Sequence, residues 1–127
     1  MKVLLIEDNE QNRYLATFLL EQRGFTVAHA ANGPEGIECA ARETFGMILL
    51  DIQLPGMDGY AVARALRGNA ALAEIPIVAV TSYAMAGDRE KSLASGCDGY
   101  LEKPINPETF VDDIQKFLRP TGKAGTP

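Results

Sequence analysis

The chain has 127 residues, enough for one domain with a sizeable apolar core. It is 46% hydrophobic and 23% charged, with a formal net charge of -5 and only scattered Lys and Arg; direct nucleic-acid binding, which relies on a basic stripe, is disfavoured. No apolar run approaches the roughly 18–20 residues of a membrane span, and "MKVLLIEDN" breaks off too early for a signal peptide, so the expectation is a cytoplasmic protein without membrane insertion.

The first element in chain order is "VLLI", Val3–Ile6, apolar on every side as in a strand covered on both faces. It stops abruptly at Glu7 and Asp8. Asn9 is placed to cap a helix with Leu15, Phe18 and Leu19 on one face and Gly24 as its stop. The second run, Phe25–Ala30, alternates more and fits a strand nearer an edge. Ile37, Ala40 and Ala41 mark a second helical face. The third strand, Met47–Leu50, runs straight into Asp51, and a third helix follows with Val62, Ala65 and Leu66, ending near Gly68. Ile77–Val80 is the fourth strand and delivers Thr81. A weaker helix from about Met85 to Ser95 is closed by Gly96. Tyr100–Leu101 is a short fifth strand leading to Lys103. The last helix has Asn106 as cap, Pro107 at its first position, and Phe110, Ile114 and Phe117 facing inward. The tail "RPTGKAGTP" has no apolar period, so the domain is expected over 1–119 with a flexible segment over 120–127.

Cys39 and Cys97 lie far apart without CxxC spacing, and His29 is the sole histidine. Neither a disulfide framework nor a zinc site is expected; both thiols should be reduced and buried, and His29 an uninvolved strand residue.

Strand and helix alternate five times, with strand starts about 20 to 30 residues apart. That spacing allows a crossover helix between parallel strands, and right-handed crossovers place helices on both faces of one sheet. The predicted class is α/β, a doubly wound five-stranded parallel sheet. Ligands of such sheets collect beyond the carboxyl ends of the strands.

The residues delivered to that edge are Glu7, Asp8, Asp51, Thr81 and Lys103. Clustered carboxylates repel one another and need a cation or a shared proton. Oxygen-only ligands in an open site suit Mg²⁺ better than a dedicated Ca²⁺ cage. A hydroxyl and an ammonium beside a metal are donors for the oxygens of a transferring phosphoryl group, and a carboxylate can accept it as an aspartyl phosphate. Blander roles stand beside these. Glu7 and Asp8 could favour the positive end of the next helix, and Asp51 could form a turn, although "LPGMDG" already supplies Pro and Gly. Thr81 could be an ordinary strand-end residue, Lys103 a solvated partner of Glu102, and Tyr100 simple packing. "SYAMAGDREKS" lacks the order of a P-loop, so nucleotide hydrolysis is not supported.

"IEDN", "LLDIQLPGMDGY", "VAVTSYAMAGD" and "GCDGYLEKPIN" together resemble the hallmarks of response-regulator receiver domains of two-component signalling, in order, from Lys2 to about Leu118. The resemblance implies a flavodoxin-like (CheY-like) fold with strand order 2-1-3-4-5. It makes Asp51 the phosphoacceptor, fed by a sensor histidine kinase or a histidine phosphotransfer protein. It implies Mg²⁺ held by Asp8, Asp51 and the Gln53 main-chain carbonyl, with Glu7 acting largely through water. Thr81 would bond the transferred phosphoryl group and Lys103 would pair with it, across a cis Lys103–Pro104 bond. Tyr100 takes the aromatic switch position, and the surface of the fourth helix, fifth strand and fifth helix would meet a downstream protein. Gln53 and Tyr83 occupy positions that tune phosphate lifetime, and Met85 and Tyr83 are equally readable as a partner patch or as loop packing.

"EDNEQN" and "TSYAMAGDREK" are similar to DivK-type single-domain regulators of bacterial cell-cycle control, and also to receivers of hybrid histidine kinases. The expectation is a stand-alone receiver, not an enzyme in the usual sense, that promotes only its own phosphorylation and dephosphorylation. A receiver cut from a larger protein is the alternative. A flavodoxin-like cofactor carrier is a remote one, because "EDNEQN" puts negative charge where a cofactor phosphate would sit.

Overall fold

The computed structural model describes residues 1–54, 56, 58–81 and 87–118. The strands are β1 (Lys2–Ile6), β2 (Thr26–Ala30), β3 (Met47–Asp51), β4 (Ile77–Thr81) and β5 (Gly99–Glu102). Between and after them lie α1 (Glu10–Gln22), α2 (Gly33–Arg42), α3 (Gly59–Arg67), α4 (Asp88–Ala94) and α5 (Phe110–Gln115), with a short 3-10 turn at Ala70–Leu72. All pairings are parallel and the order is β2-β1-β3-β4-β5, as expected. The alternating run over Phe25–Ala30 forms an edge strand, and the fully apolar runs occupy the middle.

Alternation along each strand divides the core in two, because successive side chains point to opposite faces. Leu4, Ile6, Ile48, Leu50, Ile77 and Ala79 pack with α2 and α3 through Cys39, Ala40, Val62, Ala63 and Leu66. Val3, Leu5, Met47, Leu49 and Val78 pack with α1 and α5 through Ala16, Leu20, Phe110, Val111 and Ile114. Both cysteines are buried free thiols.

The helices lie where the periodicity put them, but rotated. In α1 the fully buried pair is Ala16 and Leu20; Leu19 packs at the margin and Phe18 is 47% exposed. A small alanine lets the helix approach the sheet closely. Phe18 is left on the outer flank, stacked on Tyr14 with ring centroids 6.4 Å apart. In the same way Ala41 and Ala65 face outward, while Cys39 and Ala63 face inward. Asn9 caps α1 as read, its side chain accepting from the Asn12 N–H at 2.9 Å. Gly24 and Gly96, both at positive φ, follow α1 and α4 as the predicted stops.

The last helix starts later than expected. The Asn106 side chain accepts from the Glu108 N–H, and its carbonyl accepts from Thr109 and Phe110. The cap therefore acts, but 107–109 is spent as a turn and regular helix begins at Phe110. Tyr83 and Met85, the predicted start of the fourth helix, and the expected tail over 120–127 lie outside the described residues. No described helix is long and apolar enough to cross a membrane.

Candidate phosphoacceptor and metal site

The carboxyl edge of the sheet gathers the residues that chain order predicted. Glu7 and Asp8 follow β1 directly. Its neighbour β3 ends in Asp51, and β4 ends in Thr81, which sits in register with Glu102 of β5. The Lys103 N–H donates to the Thr81 carbonyl at 2.8 Å and continues that ladder by one residue. Glu7, Asp51 and Thr81 are buried, and Asp8 is exposed.

One ammonium ties the cluster together. Lys103 Nζ lies 2.9 Å from Glu7 Oε1 and 3.2 Å from Asp51 Oδ2, with its side chain only 11% exposed. Lys103 is therefore not the solvated partner of Glu102. Backbone donors aim the remaining oxygens: the Asn9 N–H donates to Glu7 Oε2 at 3.1 Å, and the Gln53 N–H donates to Asp51 Oδ1 at 2.9 Å. The Lys103–Pro104 peptide bond is cis, as the resemblance implied.

The electrostatics show a site short of positive charge. Burial pushes the Asp51 carboxyl up to about 7, and the neighbouring Glu7 side chain adds to the rise; the Gln53 N–H and Lys103 act the other way. Burial works to raise Glu7 too, but hydrogen bonds with Asp51, Lys103 and the Asn9 N–H outweigh it, and Glu7 stays below the ordinary carboxylate value. Burial opposes the charge on Lys103 as well, yet Glu7 and Asp51 carry its ammonium above the usual lysine value. Two adjacent buried carboxylates are costly to keep charged together unless a cation offsets them.

That shortage fits a hard dication. One oxygen each from Glu7, Asp8 and Asp51 lies within 4.8 Å of the others, the same scale as the roughly 4.2 Å that separates opposite oxygens around one Mg²⁺. Both oxygens of Glu7 and both of Asp51 already face donors of the protein. The exposed Asp8 carboxylate, which Lys103 does not pair with, is the most accessible of the three.

Tyr100 is half-buried on β5, in register with Ala79. Burial pushes its phenol above the ordinary value, and the charge of Asp88 at the start of α4 adds to the rise. His29 is exposed on the edge strand and pairs with Thr17 Oγ1 at 2.8 Å, away from the acids, as an uninvolved residue would. One functional candidate escaped the sequence reading: Arg13, whose guanidinium donates to the carbonyls of Glu7 and Asp8. Its sequence signal is a basic residue one helical turn beyond the cap that follows the acid pair.

The family model of the response regulator receiver domain matches residues 3–115. The polar-differentiation response regulator DivK of Brucella anthropi is 38% identical over 116 residues, covering 91% of this chain and 94% of the relative. DivK of Brucella ovis is 37% identical over the same span. Among solved structures, the chemotaxis response regulator CheY4 of Vibrio cholerae superposes with a TM-score of 0.88 at 31% identity, covering 92% of this chain and 98% of that one. The receiver domain of a sensor histidine kinase from Pseudomonas aeruginosa gives a TM-score of 0.84 at 34% identity, covering 91% and 95%; it holds a magnesium ion coordinated in its active site cleft.

Proposed function

The chain belongs to the response-regulator receiver family, and from that premise we propose that it accepts a phosphoryl group on Asp51 from a phosphohistidine donor in a Mg²⁺-dependent reaction. The observation that carries this is the buried Asp51 carboxylate held by Lys103 and the Gln53 N–H beside two further acids. The Asp51 oxygen attacks phosphorus, the P–N bond of the donor breaks, and its electron pair leaves on the imidazole nitrogen. Lys103 then pairs with the transferred phosphoryl group instead of with the bare carboxylate, and the Thr81 hydroxyl donates to one of its oxygens.

Asp8, Asp51 and the Gln53 carbonyl would hold Mg²⁺, with Glu7 in an indirect role, and the ion would supply positive charge to offset that of the phosphoryl oxygens. The protein is no enzyme in the usual sense, since the group it transfers ends on itself. The magnesium in the Pseudomonas aeruginosa relative supports the ion assignment. The donor is a histidine kinase or a histidine phosphotransfer protein. The chain is similar both to a DivK regulator and to the receiver domain of a sensor histidine kinase, so the same chemistry follows whether this receiver acts alone or within a larger protein.

The output is a change of surface. Drawing Thr81 toward the phosphoryl group frees space for Tyr100, and the surface of α4, β5 and α5 re-sorts for a downstream protein. The half-buried Tyr100 and the 45%-exposed Leu93 on α4 suit such a surface.

Incubation with acetyl phosphate and Mg²⁺, followed by intact mass, is expected to show one added phosphoryl group on the wild type and none on Asp51→Asn. Label persisting in that variant removes the assignment. Lys103→Ala is expected to retain Mg²⁺ binding with impaired switching, and complete loss of Mg²⁺ affinity contradicts its proposed role.

A further inference from the structure

Arg13 grips the acid pair from behind. Its Nη1 donates to the Glu7 carbonyl at 2.9 Å and to the Asp8 carbonyl at 3.1 Å. It can do so because it sits one turn into α1, where its own N–H closes on the Asn9 carbonyl. The same short segment is held at two other points, by the Glu7 N–H on the Ala30 carbonyl and the Asn9 N–H on Glu7 Oε2. Lys103 pairs with the side chains of Glu7 and Asp51 but forms no such ion pair with Asp8. The aim of the exposed Asp8 carboxylate is therefore set mainly by its backbone, and Arg13 holds that backbone.

We propose that Arg13 is a positioning residue: it fixes the Glu7–Asp8 backbone so that their carboxylates converge on one divalent cation, without touching that cation. This deepens the metal-dependent reading of the site and rests on it. Two effects of the guanidinium oppose each other. Its charge repels a dication, whereas its hydrogen bonds order the ligands. The side chain is half-buried at the rim, where solvent screens charge, while charge-assisted bonds to two adjacent carbonyls are directional and short-ranged. Ordering wins. Loss of outer partners of a metal site typically weakens binding 10–100-fold.

The test is Mn²⁺ binding to the full chain, read by electron paramagnetic resonance with Mg²⁺ as competitor, beside the ion-free unfolding midpoint. Arg13→Met keeps an apolar stem of similar length without donors. Arg13→Ala removes both stem and donors. Each is expected to bind Mn²⁺ roughly tenfold more weakly than the wild type, with an ion-free midpoint close to wild type for Arg13→Met. Arg13→Lys is expected to stay within about threefold of the wild type, because a single nitrogen serves both carbonyls and an ammonium has donors for two. Wild-type or tighter binding by Arg13→Met overturns the proposal, as does an Arg13→Lys variant as weak as Arg13→Met. A wild type that binds no Mn²⁺ overturns the metal reading itself, and this role with it.

Discussion

Each end of the sheet holds a cation against carboxylate, and the two are built to opposite ends. At the amino end of β4 and β5, Arg67 makes four hydrogen bonds. Its Nε donates to the Gly96 carbonyl, its Nη1 to the carbonyls of Leu72 and Ile75, and its Nη2 to Asp98 Oδ2 at 2.5 Å. Asp98 in turn accepts from the Ile77 N–H that opens β4. At the carboxyl end, one ammonium, Lys103, stands among the three acids Glu7, Asp8 and Asp51, and the Asp51 carboxyl is pushed up by burial and by Glu7. A balanced ion pair staples the chain. A cluster with more carboxylates than cations favours binding a further positive charge.

The comparison can be broken at the matched end first. Arg67→Ala removes the cation beside Asp98 and the donors to three carbonyls in a partly buried place, and is expected to destabilise by about 3 kcal/mol in urea unfolding. Divalent-cation affinity at the other end should hardly move. Unfolding unchanged by this variant would show the network to be decorative.

Next is the backbone under the site. A Cβ on Gly59 would meet the Ile52 Cα at 2.4 Å and the Asp51 carbonyl at 2.8 Å, both backbone atoms that cannot swing aside, and the Ile52 Cδ1 at 2.9 Å. Gly59→Ala is expected to cost about 2 kcal/mol, in the range of overpacking, and to lower cation affinity because it displaces the loop after β3. A variant with wild-type stability would mean that α3 shifts freely.

A smaller effect of opposite sign is expected at the unbalanced end. Asp51 titrates at about 7 when folded, against 3.8 ordinarily. The native state therefore holds a proton that the unfolded chain has released, and the associated stability is full below about pH 4 and lost as pH rises through 7. Without divalent cations, Asp51→Asn should lose that decline and be more stable than the wild type at pH 8, by about 1–2 kcal/mol once lost Lys103 contacts are counted. Added Mg²⁺ should raise the wild-type midpoint and leave the variant nearly unchanged. A wild type that gains stability between pH 4 and 7 relative to Asp51→Asn would reverse the assignment of strain.

The smallest change is expected on the outer flank of α1. Phe18→Ser removes a ring that is half in water, so its stability should change by about 0.5 kcal/mol or less, as measured by thermal unfolding. A much larger loss would make the Tyr14–Phe18 stack part of the core.

The β-α alternation, the two-faced core and the acids at one edge were legible in the residues themselves, and the strand order followed from the family resemblance. A run such as "VLLI" or "IVAV" has no polar side to present to water, so it must be an inner strand. The last residue of each such strand must then lie at the common carboxyl edge. Glu7, Asp51, Thr81 and Lys103 meet for that reason, and the alternating Phe25–Ala30 run falls at the margin. Caps were legible where a side chain acts on its own backbone, as Asn9 does.

Tertiary structure alone decided what depends on one element's distance from another. It chose Ala16 and Leu20 over Phe18 as the buried line of α1, because closeness to the sheet rewards small side chains at the point of contact. It paired Arg67 with Asp98 and set Arg13 behind Glu7 and Asp8, since a guanidinium's partners are carbonyls that carry no mark in a sequence. It also raised Asp51 and not Glu7, a choice made by which carboxylate receives more donors once both are buried.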